Sequence, residues 1–261
     1  MTACAKCGQP KPGKSDVFEY RLPEYGESFG IIGVTQHGKS SWAKAWVKYL
    51  LSKGYSVIAW DPADEWHVNA RGRRFCKPGP LQHSVTVSEL LKDPRKHLSK
   101  KRISLAVRPD DIYADEKTIA EQFTEFVQWV RRATPEGVPL FFVIDECNLL
   151  LKHAASALSD IAERWAKEEI VPCFVGQRWT HFSPDVRAQL AWLVAFKQVK
   201  ESDLRFLRTE VGSDFAAALP TLEPGAYRVA NLRQASKDVL SELGLSTQHQ
   251  RPTRGRTQDH G

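Results

Sequence analysis

The sequence predicts an α/β fold, a three-layer sandwich with helices on both faces of a mainly parallel central sheet. Three observations predict it. Short apolar runs of strand length alternate with longer segments of helical spacing. Residues 33–40, Gly-Val-Thr-Gln-His-Gly-Lys-Ser, fit the phosphate-binding pattern G-x-x-x-x-G-K-[ST] at every fixed position. Further on, Leu140-Phe-Phe-Val-Ile-Asp-Glu146 is an apolar strand ending in two carboxylates.

Residues 1–15 read as a polar tail and residues 16–245 as one domain. Phe29–Gly33 is the first strand. The loop after it, Gly33, Val34, Thr35, Gln36, His37, Gly38, Lys39, Ser40 and Ser41, is the candidate nucleotide cradle. Gly33 and Gly38 allow a tight turn and close approach to phosphate, and the helix N-terminus favours an anion. Lys39 would reach the β- and γ-phosphates, and the Ser40 hydroxyl would ligate Mg²⁺. Trp42, Ala45, Trp46, Tyr49 and Leu50 then recur at helical spacing, which turns Lys44 and Lys48 outward. Tyr55–Trp60 is a second strand, closed by Asp61-Pro-Ala-Asp-Glu-Trp66. The span 67–102 has weak periodicity and reads as an insertion with one short helix around 87–92.

Ile103–Val107 is another short strand. Residues 115–132 form a helix with Ile119, Phe123, Phe126, Val127 and Val130 on one stripe, ended by Thr134-Pro-Glu-Gly137. After the Asp-Glu strand, a helix carries Leu158, Ile161, Ala162 and Trp165. Ile170–Gly176 is a strand followed at once by Gln177-Arg178. Ala191–Phe196 is a further strand, 202–219 is helical, and Ala226–Ala230 is a late strand. Residues 246–261 are polar and basic with no apolar stripe, the composition of a disordered tail.

The chemistry follows from the strand ends. Asp145 would hold Mg²⁺ through water, and Glu146 would polarise an attacking water. Gln177, at the end of a strand beside this one, would bring its amide to the γ-phosphate. A small-molecule kinase has no need of the water-activating glutamate, and no arginine-rich lid is evident. No Leu-Ser-Gly-Gly-Gln-like motif supports an ABC transporter, and the length is short for a two-core helicase. A regulatory nucleotide switch remains a rival, marked by slow hydrolysis indifferent to DNA.

Composition sets outer bounds. The chain has 261 residues, 26% charged and 42% hydrophobic, enough for one sizeable core. No apolar run spans a bilayer and the first residues lack a signal-peptide core, so a cytoplasmic location is expected. Five cysteines, an odd number, argue against a disulfide framework. Cys4 and Cys7 form C-x-x-C, half of a zinc ribbon without a second C-x-x-C, so they read as a plain tail or as zinc ligands shared with Cys76 or a histidine; Cys147 and Cys173 flank strands and read as core thiols. The net charge of +6 permits a polyanionic partner. Two basic clusters, Arg71–Lys77 and Lys92–Arg102, suit DNA contact or a solvated face equally.

At Gly33–Ser40, Asp61–Trp66, Ile144-Asp145-Glu146 and Phe174-Val-Gly-Gln177-Arg178, the sequence resembles the FtsK/HerA superfamily of DNA-pumping ATPases. The resemblance spans residues 28–210, and its more diagnostic parts are Asp-Pro-x-x-Glu-aromatic and the strand-Gln-Arg. It implies a RecA-like P-loop NTPase of the additional-strand, catalytic-glutamate type, using ATP and Mg²⁺. It further implies a hexameric ring of identical subunits around double-stranded DNA. An arginine acting in trans completes each site; Arg164 matches the family position, with Arg178 the alternative. Lys152 and His153 are candidates for a pore loop, though a solvated loop serves them as well. The chain lacks the membrane segments, winged helix and barrel of larger members. That compact form is similar to the genome-packaging ATPases of tailless, membrane-containing double-stranded DNA viruses. It implies packaging rather than segregation or conjugation, in host cytoplasm or virion, with a capsid or membrane docking protein.

Overall fold

A computed structural model describes residues 23–24, 26–69, 78–98, 100–133 and 140–234. Cys4, Cys7, Cys76, the Arg71–Lys77 cluster, the Thr134–Gly137 turn and the 246–261 tail lie outside the described residues. Among the described residues eight strands form one sheet: β1 (Phe29–Ile32), β2 (Ser56–Trp60), β3 (His83–Thr86), β4 (Ser104–Arg108), β5 (Leu140–Ile144), β6 (Ile170–Gly176), β7 (Trp192–Ala195) and β8 (Arg228–Asn231). Their spatial order is β3-β4-β2-β5-β6-β1-β7-β8. All neighbours run parallel except β7 and β8. The helices are α1 (Lys39–Ser52), α2 (Val87–Lys92), α3 (Pro94–Leu98), α4 (Glu116–Ala133), α5 (Ala155–Arg164), α6 (Pro184–Gln189), α7 (Glu201–Glu210) and α8 (Ser213–Ala218).

Strand alternation divides the core into two layers. Phe141 and Val143 of β5 face one side, while Leu140, Phe142 and Ile144 face the other. On the first side lies α1, whose fully buried Trp46 meets Phe29 at 4.7 Å and Phe141 at 4.8 Å between ring centroids, both edge-on. Such pairs add about 0.5–1.5 kcal/mol each beyond their burial, so the helix behind the glycine loop is anchored to the sheet. On the second side α4 brings Phe123 and Phe126 against Trp60, and Trp165 packs on Phe142. Three helices of the 87–133 region and α5 share this layer.

The sequence reading and the structure differ in four places. The span 67–102 is no insertion: β3 pairs parallel with β4, and a Thr86–Glu89 capping box starts α2 directly behind it. The strand is four residues long with exposed His83 at an edge, so it carried no periodicity. Residues 202–219 are two helices, broken where Gly212 takes φ +133°. On α1 the buried apolar positions are Trp42, Ala43, Trp46, Val47 and Leu50; Ala45 is exposed. Lys44 does not face water freely: its ammonium lies 3.6 Å from Glu65 and over the Trp66 ring.

Candidate active site

The sheet order creates the site. β1, with the glycine loop at its carboxyl end, is separated from β5, which carries the carboxylates, by β6 alone. Ile32 is in register with Gly176 of β6 and Ala195 of β7, so the three strands end level. The loop therefore opens between Gln177 on one side and Phe196 to Gln198 on the other. Gly33 is required by close approach: a Cβ there would stand 2.6 Å from Phe196 Cβ. Gly38 is required by φ +96°, and its carbonyl accepts the Trp42 N–H to start α1. Val34 N–H donates to the Lys197 carbonyl, Thr35 and Gln36 are exposed, and His37 packs its ring nitrogen 3.1 Å from the Thr35 carbonyl. Gln36 adds a second left-handed residue, φ +67°. Lys39 is buried at the first position of α1, Ser40 is half-buried beside it, and Ser41 is exposed.

Asp145 and Glu146 close β5 two strands away. Asp145 is buried, and both carboxylate oxygens accept hydrogen bonds: Oδ1 from Glu146 N–H at 2.9 Å and Oδ2 from the Trp66 indole at 2.8 Å. Glu146 takes the left-handed conformation, φ +50°, ψ +48°, uncommon for a non-glycine residue and characteristic of functional sites. Gln177 Nε2 donates to Glu146 Oε2 at 3.3 Å, across the end of the strand gap. Burial pushes the Glu146 carboxyl above its ordinary range, with the Asp145 charge adding to it, while Lys39, Gln177 and Asn148 pull the other way. A carboxylate so raised is a better base.

The arginines part company. Arg178 turns back into its own domain, with Nε donating to Asp203 Oδ2 at 2.8 Å and the guanidinium bonding Ser202. Arg164, at the end of α5, is largely exposed and pairs with Asp160 one turn earlier. Among the described residues neither is hydrogen-bonded or ion-paired to Glu146. Lys152 and His153 are exposed after the carboxylate turn. Cys147 and Cys173 are fully buried free thiols whose ionisation burial strongly disfavours, so they are inert core residues.

Three residues carry roles that the sequence reading does not assign. Gln198 is fully buried, and its Nε2 donates to the Gln177 carbonyl at 3.0 Å, spanning from β7 past β1 to β6. A polar residue just beyond an apolar strand was the available signal, the same one that marks Gln177. Gly225 donates its N–H to the His37 carbonyl, and Tyr227 packs on Phe196 and Trp42, so the turn before β8 braces the glycine loop.

The donor chemistry suits a nucleotide with Mg²⁺. Ser40 and Asp145 offer hard oxygen ligands, and Mg²⁺ characteristically takes one or two protein oxygens with phosphates and water. Among the described residues no three His, Cys, Asp or Glu side chains gather into a metal cage.

No protein-family model and no curated protein matches the sequence. The fold is similar to that of the genome packaging NTPase B204 from Sulfolobus turreted icosahedral virus 2 in complex with ATP-gammaS, at TM-score 0.61 and 16% identity over 82% of this chain and 96% of that one. The same protein in complex with AMPPCP superposes at TM-score 0.58 with 17% identity over 80% and 94%. B204 described as the DNA-packaging ATPase from Sulfolobus turreted icosahedral virus gives TM-score 0.56 and 18% identity over 80% and 94%. At such identity the likeness is one of fold: a P-loop NTPase α/β sandwich with a mostly parallel eight-stranded sheet.

Proposed function

We propose that this chain is an ATP hydrolase that drives double-stranded DNA, most specifically a viral genome-packaging ATPase working as a homo-oligomeric ring. The observation that carries the hydrolase reading is the Glu146–Gln177 contact, made across the ends of β5 and β6 beside the strand that carries the glycine loop. DNA as the partner is supported by the fold shared with proteins described as packaging ATPases, by the four motif positions, and by the net charge of +6.

In this reading the Gly33–Ser41 backbone and Lys39 hold the ATP phosphates. Ser40, and Asp145 through water, would hold Mg²⁺, which would supply positive charge to the phosphate oxygens. Glu146 takes a proton from the attacking water, and Gln177 holds Glu146 and reads the presence of the γ-phosphate. Arg164 acts on the neighbouring subunit's site; its exposed position leaves it available, while Arg178 is engaged by buried Asp203. The ring is hexameric by analogy and docks on a capsid or membrane protein. No described helix is long and apolar enough to cross a membrane.

The test is steady-state ATP hydrolysis with and without long double-stranded DNA, at low and moderate salt. DNA stimulation that fades with salt is expected, because phosphate contacts release counterions. Hydrolysis indifferent to DNA would point to a nucleotide switch. Glu146→Gln should bind ATP yet lose hydrolysis, and Lys39→Ala subunits mixed into wild type should poison the ring.

A further inference from the structure

The Asp61–Trp66 segment marks the sequence without having a role in the hydrolytic scheme, and its geometry supplies one. Trp66 is fully buried, and its single polar atom donates to Asp145 Oδ2 at 2.8 Å. The indole N–H groups of Trp60 and Trp165, equally buried, have no acceptor. This core therefore tolerates an unpaired indole, and the Trp66 bond is a specific placement.

That placement is fixed from four directions. Fully buried Asp61, at the end of β2, accepts the Glu65 N–H on Oδ1 and the Trp66 N–H on Oδ2, both at 2.8 Å. The Trp66 carbonyl accepts Leu81 N–H, and a Cβ on Gly79 would collide with that carbonyl at 2.0 Å. From α1, Lys44 reaches Glu65 and lies 5.9 Å from the Trp66 ring centre. Finally, Asp145 N–H donates to the Trp60 carbonyl, which ties the end of β5 to the strand that launches the segment.

We propose that Trp66 is a positioning residue for Asp145: with the Glu146 N–H on the other oxygen, its indole N–H locks the rotation of the carboxylate and so sets the Mg²⁺ affinity of the nucleotide site. Asp61 acts one step further out, by holding the Trp66 backbone. The inference rests on the reading of Asp145 as the Mg²⁺ carboxylate. Each Asp145 oxygen, having accepted one hydrogen bond, retains a lone pair for metal-bound water. Outer partners of this kind orient ligands and typically change metal affinity roughly 10- to 100-fold when removed.

The experiment uses the full chain and a fluorescent ATP analogue, titrated with MgCl₂ and compared with binding in EDTA. Trp66→Phe keeps the aromatic body and loses the donor. Its half-saturating Mg²⁺ should rise about 10-fold, while metal-free analogue binding stays within twofold. Asp145→Asn in the same titration checks the underlying reading. If Asp145→Asn shifts the Mg²⁺ requirement and Trp66→Phe does not, the Trp66 proposal is wrong and the site reading stands. If Asp145→Asn shifts nothing, the site reading fails and takes the proposal with it. A second measurement needs no folded Trp66 variant: ¹⁵N-indole spectra of the wild type, which has eight tryptophans. The one indole signal most displaced by Asp145→Asn should also move when Mg²⁺ is added to the nucleotide complex. An unmoved signal would overturn the proposal.

Discussion

Arg178→Ala is expected to destabilise the protein, whereas Arg164→Ala is expected to silence it. The Arg178 side chain is 33% exposed, but its partner Asp203 is 0% exposed. Removing one member of a fully buried pair costs about 3–5 kcal/mol. Here water reaches the cation side, and the Thr180 N–H still bonds Asp203 Oδ1 at 2.9 Å. A cost of about 2 kcal/mol remains, which is a fall in Tm of roughly 4–8 °C for a domain of this size. Arg164 is 64% exposed and pairs with Asp160 across one helical turn; losing that pair costs about 0.3–0.5 kcal/mol. Thermal unfolding followed by circular dichroism gives both values, and ATP hydrolysis is measured on the same samples. Arg164→Ala should keep its Tm and lose hydrolysis by the factor of roughly 10³ or more that a trans-acting arginine supplies. An unaltered Tm with lost hydrolysis in Arg178→Ala would refute this division and make Arg178 the finger.

Three further outcomes follow from the same geometry. Gly33→Ala must displace Phe196, 2.6 Å from the added methyl, and should cost about 1–3 kcal/mol with weakened nucleotide binding; urea unfolding and analogue titration measure the two. Gln198→Leu removes the bond to the Gln177 carbonyl along with an Oε1 that has no partner, so stability should change by no more than about 1 kcal/mol while kcat falls more than KM moves. Burial raises the Asp61 pKa from 3.8 to about 7, against its two backbone hydrogen bonds. The neutral form is therefore favoured by folding: the stability it contributes is complete below pH 3.8 and is lost as pH rises through 7. Urea unfolding of apo protein between pH 5 and 8 should show this slope, and Asp61→Asn should flatten it.

How much of this was legible in the sequence depends on whether a residue's role is local. The glycine loop is a contiguous octapeptide whose geometry follows from its own residues, and the structure places it between β1 and α1 as the order of strand, loop and helix requires. β5, buried on both faces, reads as a continuous apolar run. The strand β3 does not, because a four-residue edge with one buried residue, Val85, has neither periodicity nor apolar density. Helical phase alone turns Lys44 toward solvent, whereas the Asp61–Trp66 segment arrives over that face of α1 and captures it. Gln198 and the Trp66–Asp145 bond are pairings between distant segments, and no local pattern encodes them.

The position of β1 has a consequence for biogenesis. Phe29 pairs with Cys173 on one side and Trp192 on the other, so the strand that carries the glycine loop has no sheet neighbour from its own half of the chain. At a synthesis rate of about 5–20 residues per second, its second neighbour leaves the ribosome roughly 10–30 s after it does. The earlier strands β2, β4 and β5 pair with one another and can assemble meanwhile. The glycine loop is thus among the last parts of the sheet to gain its neighbours, and a nascent chain cannot complete the proposed nucleotide site before most of the domain exists.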